Sequence, residues 1–171
     1  LIEGSPSSAG NSRNSYCLYS LSNTNAKNFR NNILHNARSN NGASGTHYAV
    51  YFATTGGTLT CDYNDYYTSG TGGILGYFNG NKNTLPVVTS QDANSFAVDP
   101  VYTVPGPGDP ADYTIGVDLI GVAGTGITSD FGGDTRNNPT LGAWERLVNK
   151  WKGGTSTAWN LASNWTANAI P

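Results

Sequence analysis

Two histidines, His35 and His47, are the residues that could serve as a general base near neutral pH. Spacing places no nucleophile or acid beside either. They read as a loop histidine and a strand-edge histidine making ordinary hydrogen bonds. Asp62 and Asp65 flank Asn64. Carboxylates three apart near a strand end could bind Ca²⁺ through oxygen, but Asp and Asn satisfying turn backbone explain the same spacing. Asp130, Asp134 and Glu145 share a turn-rich stretch with Arg136. A metal or sugar could sit there, although a buried or half-buried Asp–Arg network that ties down the last turn is the simpler reading, since Arg suits bidentate pairing. The chain has no G-x-S-x-G, H-E-x-x-H, P-loop or EF-hand pattern. No catalytic residue, metal ligand or cofactor is assigned.

The tyrosines are more suggestive. Tyr63, Tyr66, Tyr67 and Tyr77 fall near strand ends in polar surroundings. A tyrosine ring offers a flat apolar face with a polar tip, suited to stacking on the C–H face of a sugar. These four are the candidate carbohydrate-binding residues, against the plainer reading that Tyr is common in strands. Cys17 and Cys61 sit in alternating apolar segments, and form either a disulfide or two buried thiols.

Short strands must position these groups. LTCDYNDYY, residues 59–67, alternates at first and then crowds polar and aromatic groups into a strand end and turn. FRNNILHN, residues 29–36, has a similar plan. Residues 16–21, 29–34, 74–78, 85–88 and 96–98 read as further strands. In HYAVYFA, residues 47–53, alternation sets Tyr48, Val50 and Phe52 on one face and Ala49 and Tyr51 on the other. PGPGDPAD, residues 105–112, reads as irregular because Pro fixes φ and removes donors. TIGVDLIGV resumes alternation, and ERLVNK is too short for a convincing helix. Three of the four Trp fall after residue 150, which places a boundary near residue 149.

Only 12% of the 171 residues are charged, against ~25% in an average domain, and Gly reaches 22. The net charge of −2 gives no field favouring nucleic acid or an anionic membrane. No apolar run approaches the ~20 residues of a membrane-spanning helix. The chain opens on Leu1 and has no Met, so it reads as a processed chain or a piece of a longer protein.

With these segments placed, the sequence resembles the C-terminal part of right-handed parallel β-helix proteins secreted by bacteria. The stretches that carry the resemblance are FRNNILHN, CDYNDYY, DANSFAVDPVYT and SDFGGDTRNNPTLGAWE, which together span residues 29–145. GVDLIG, residues 116–121, departs from the closing segment of many relatives. WKGGTSTAWNLASNW resembles the start of Trp-rich β modules in large exported surface proteins. The resemblance implies an all-β fold: a parallel β-helix (solenoid) fragment over 1–149, its C-terminal end capped by irregular turns of 101–145. Residues 150–171 would form a linker and the start of a second β-rich module. Stacked coils share one core, and Asn31, Asn32 and Asn64 are candidates for side-chain ladders.

The implied function is a non-catalytic, structural or adhesive portion of a secreted or cell-surface protein that contacts polysaccharide. Open coil ends would allow head-to-tail self-association into extracellular filaments. The alternative is the tail of a polysaccharide lyase or glycoside hydrolase whose catalytic coils lie upstream, since fold does not fix function.

Overall fold

The computed structural model describes residues 12–21, 24–41, 44–54, 56–103, 109–136, 139–146, 151 and 153–165. Eight strands run through them: β1 (Ser15–Ser20), β2 (Lys27–Arg30), β3 (Ile33–Asn36), β4 (His47–Phe52), β5 (Leu59–Asp62), β6 (Asp65–Thr68), β7 (Gly73–Tyr77) and β8 (Asn81–Lys82). Among the described residues helix is confined to two short 3₁₀ turns, Pro110–Tyr113 and Ala162–Asn164. The protein is all-β. Its sheets are small, with orders β1-β4-β7-β8, β2-β5 and β3-β6. No helix among the described residues is long and apolar enough to cross a membrane.

Every pairing between strands is parallel except the closing β7–β8 hairpin. Ser15 pairs with His47, Lys27 with Leu59 and Ile33 with Asp65, so β1, β2 and β3 each meet a partner 32 residues further on. The offset persists past the strands. Asn94 sits on Asp62 at the same interval and Phe96 bridges Asp65 one residue short of it, whereas β4 meets β7 at a shorter interval, His47 with Gly73.

Residues 29–34, read as one strand, are broken by a left-handed residue, Asn31 (φ 61°), and the strand end expected after Asp62 falls at another, Tyr63 (φ 53°). Asn tolerates this conformation, whereas Tyr at positive φ costs roughly 1–2 kcal/mol. The two residues stack: the Asn31 amide N–H donates to the Tyr63 carbonyl at 2.7 Å. Each corner turns the chain from one sheet into the next.

The main core gathers Ala49, Val50, Phe52, Cys61, Tyr66, Val87 and Val88, with Leu18, Phe29 and Leu75 against it. Ala49 and Val50 both enter it, while the Tyr48 and Tyr51 rings meet each other at 5.0 Å. The strict alternation expected for β4 therefore slips by one residue at its centre, as it does where a strand bends or bulges. Residues 85–88 are not a strand. Pro86 has no N–H to give a ladder, yet Val87 and Val88 still fill the core at 0% and 2% exposure. Gly76 passes so close that a Cβ there would meet Val87 Cγ1 at 2.5 Å.

The described residues between 102 and 145 pack mostly as turns and single-pair bridges. Ile115, Leu119 and Leu141 form a second core that takes in Ile33, Tyr63 and Phe96. Asn31 anchors this segment, because its side chain accepts from Val122 N–H and donates to Val122 C=O, both at 2.8 Å. The expected end cap is thus a lateral packing that touches residues from Asn31 to Phe96. The Pro-rich stretch carries one 3₁₀ turn where none was expected. Pro110 suits the first helical position, and Asp112 N–H returns to Asp109 C=O at 2.9 Å.

Trp151, Trp159 and Trp165 form their own aromatic cluster around buried Asn164. The boundary expected near residue 149, most of ERLVNK and residues 1–11 lie outside the described residues.

Candidate functional site: a stacked tyrosine face

Parallel pairing puts residues of matching register in one column, ~4.8 Å apart. On the β1-β4-β7 sheet those residues are tyrosines. Tyr19 pairs with Tyr51 and Tyr51 with Tyr77, and their rings stack at 5.2 and 4.3 Å, each within 9° of parallel. Beside them Tyr16 stacks on Tyr48 at 5.6 Å and 3°. The two columns meet edge to face, Tyr16 with Tyr51 at 5.2 Å and Tyr48 with Tyr51 at 5.0 Å. Such aromatic pairs contribute ~0.5–1.5 kcal/mol each beyond their buried area. Tyr48 is nearly covered, and its hydroxyl donates to Asn81 Oδ1 at 3.0 Å. Tyr19 ends its column with 51% of its surface exposed. Burial and the neighbouring tyrosines push the Tyr48 and Tyr51 phenols up, so these two rings stay uncharged at neutral pH.

Of the four tyrosines singled out from sequence, only Tyr77 belongs to this array. Tyr66 is 1% exposed, and its hydroxyl joins Cys61 Sγ at 2.9 Å and Asp92 Oδ1 at 3.0 Å in the main core. Its ring offers no face to a ligand. Tyr63 occupies the left-handed corner and packs on the second core. Tyr67 stands on another sheet, its ring 4.8 Å from His35 and its hydroxyl donating to Asp99 Oδ2 at 3.3 Å. Sequence reading missed Tyr16, Tyr19, Tyr48 and Tyr51. The signal was there: Y-x-x-Y at 16–19 recurs at 48–51.

The other candidates resolve into structural roles. Asp62 accepts the Asn94 backbone and side-chain amides, both at 2.8 Å. Burial pushes its carboxyl up, but the bonds from Asn94 outweigh this and hold it below the ordinary range. Asp65 is fully buried instead. It accepts from Val98 N–H at 3.1 Å, and burial pushes its carboxyl up to about 7. The two carboxylates thus do not converge. Among the described residues no group of three or more His, Cys, Asp or Glu could hold a metal.

Arg136 pairs with Glu145 at 2.8 Å in a nearly buried ion pair. Asp130 accepts from Glu145 N–H and Asp134 N–H, both at 2.8 Å, so this constellation ties down the closing turns. Arg146 pairs with Asp118.

His47 has Ser15 Oγ at 2.9 Å on Nδ1 and Asn40 Oδ1 at 3.1 Å on Nε2, the order of a nucleophile, base and orienter. Its ring is fully buried, however, and Ser15 Oγ also accepts from Asn36 at 3.0 Å. The group is a satisfied polar network joining β1, β3 and β4. Burial, then the Arg38 charge, holds the imidazole below its ordinary pKa and neutral. His35 meets Ser69 Oγ at 3.2 Å.

Cys17 and Cys61 are both free thiols, so the disulfide is not formed. They stand on β1 and β5, in different sheets, and Cys61 pairs with Phe29.

No family model, curated protein or solved structure matches the chain.

Proposed function

We propose that this chain is a non-catalytic, parallel β-helical portion of a secreted or cell-surface protein that contacts a neutral polysaccharide through its tyrosine face. The 32-residue offset shared by the parallel pairs β1–β4, β2–β5 and β3–β6, followed by a shorter one where His47 meets Gly73, supports the β-helical reading. The single observation that carries the binding role is the Tyr19–Tyr51–Tyr77 column flanked by Tyr16 and Tyr48. Inner ring faces are used up on one another. What remains for a ligand is the outer face of Tyr19 and the row of ring edges and hydroxyl tips. Uncharged rings and hydroxyls match the C–H faces and hydroxyls of an uncharged sugar chain and offer nothing to an anionic one.

Affinity electrophoresis in gels containing neutral or acidic polysaccharides tests this. Retardation is expected with at least one neutral polymer. Tyr19→Ala weakens it about tenfold while leaving the melting temperature nearly unchanged, since this ring is half in solvent. Equal retardation of Tyr19→Ala and the parent, or retardation in acidic gels only, overturns the reading.

β1, β2 and β3 are also terminal in their sheets, which favours head-to-tail association through those edges. Sedimentation that shifts with concentration tests it.

A further inference from the structure

A second site lies away from the tyrosine face, where Tyr102, Tyr113 and the turns around Phe131 and Trp144 meet Ile33 of β3. It is a cavity of about 470 Å³, within the ~300–1,000 Å³ range of small-molecule sites. Two aromatic pairs line it: Tyr102 with Tyr113, edge to face at 5.6 Å, and Phe131 with Trp144, edge to face at 5.3 Å. Ile33 and Leu141 complete the apolar surface. Phe131 is 68% exposed, so a large ring stands at the cavity with most of its area in water.

The lining decides the class of occupant. No charged side chain among the described residues lines the cavity. Arg136 and Glu145, in the same segment, are occupied with each other. Burial, followed by the nearby Asp65 charge, pushes the Tyr102 phenol up, so that ring too stays neutral. A charged ligand would lose its hydration with no counter-charge in return. A sugar would fare little better, because its many hydroxyls need the amide and carboxylate partners that this lining lacks. A flat apolar ring system gains from every wall through burial and edge-to-face contact.

We propose that this cavity binds a neutral, apolar ring compound, independently of the tyrosine face. The site is assembled from parts far apart in sequence. Leu141, Ile115 and Ile33 pack together in the second core, and Gly142 N–H holds to Asn31 C=O at 3.0 Å. Phe131 N–H donates to Ala143 C=O at 2.8 Å, which fixes the two sides of the Phe131–Trp144 wall.

The test is a fluorescence titration of the full chain with N-phenyl-1-naphthylamine, a neutral probe that brightens in apolar sites. Saturable one-site enhancement with a blue shift is expected. Phe131→Ala removes a wall and Ala143→Trp fills the space, and each weakens binding about tenfold or more. Both positions are exposed, so far-ultraviolet circular dichroism and the melting temperature are expected to stay near those of the parent. Tyr19→Ala and Trp159→Ala leave the dissociation constant unchanged. The proposal is overturned by an absence of saturable enhancement, or by binding indifferent to both cavity variants. It is equally overturned if the signal follows Tyr19→Ala or Trp159→Ala. An anionic sulfonated analogue that binds as tightly as the neutral probe also sinks the assigned class.

Discussion

The Asn32 side-chain amide donates to Asn64 Oδ1 at 2.9 Å across 32 residues of chain. Asn64 is fully buried. Its oxygen also accepts Asn32 N–H at 3.1 Å, and its nitrogen donates to Phe29 C=O at 2.9 Å and Asp62 C=O at 3.1 Å. One side chain thereby satisfies the backbone of the corner on its own level and on the one before it.

Asn64→Ala leaves those buried groups unmatched and costs roughly 2–4 kcal/mol. Asn32 is half-buried and gives up fewer bonds, so Asn32→Ala costs about 1 kcal/mol. Urea unfolding of both variants checks the order. Equal midpoints would mean that the Asn pair is not what holds the corners.

Asp65 makes stability fall as pH rises. Its folded pKa, about 7, lies above the ordinary 3.8, so folding binds a proton that the unfolded chain releases. The full stability is present below pH 3.8 and is lost progressively up to about pH 7. The penalty above that is on the order of 4 kcal/mol. Asp62 works in the opposite sense: its depressed pKa adds stability that is lost in acid. Asp65→Asn removes the decline, and its unfolding midpoint at pH 8 exceeds the parent's. A parent curve that rises between pH 4 and 7 by as much as the variant's contradicts this.

Gly76→Ala forces a methyl against Val87 Cγ1 at 2.5 Å and Val50 Cγ1 at 2.9 Å. Overpacking at such a site costs ~1–3 kcal/mol. Val87→Ala opens a cavity of its own, but together the two changes are less harmful than their sum. A double-mutant cycle with a favourable coupling of about 1 kcal/mol is the expected result. Strict additivity would place the clash elsewhere.

The thiols give a chemical check. Burial, then the Asp92 charge, pushes the Cys61 thiol up to about 12, so it stays un-ionised and closed to alkylation in the folded protein. Unreduced chain in denaturant takes up two alkyl groups by mass spectrometry, whereas the native chain leaves Cys61 unmodified. A single disulfide mass would refute the pairing of β5 with β2 at this position.

The sequence by itself was sufficient for the all-β character. Short apolar runs between Asn- and Gly-rich turns, few charges and scarcely any helical period leave strands as the way to satisfy the backbone. It also marked most strand positions, and it gave Arg136 a structural role in the last turns, although the carboxylate it meets is that of Glu145 and not the Asp expected. Local pattern could not reveal where the strands break. The strand read over 29–34 runs straight through Asn31, whose left-handed turn is held by a hydrogen bond to the Tyr63 corner of the paired stretch.

The binding face was hidden for the same reason. Tyr66 and Tyr67 are neighbours in sequence, yet one ring fills the core and the other stands beside His35. Tyr19 and Tyr77 are remote, yet both stack on Tyr51. Residue type told which rings could meet a ligand. Only the parallel register decided which of them stand together, because it stacks residues from strands remote along the chain and a local reading sees no further than its own strand.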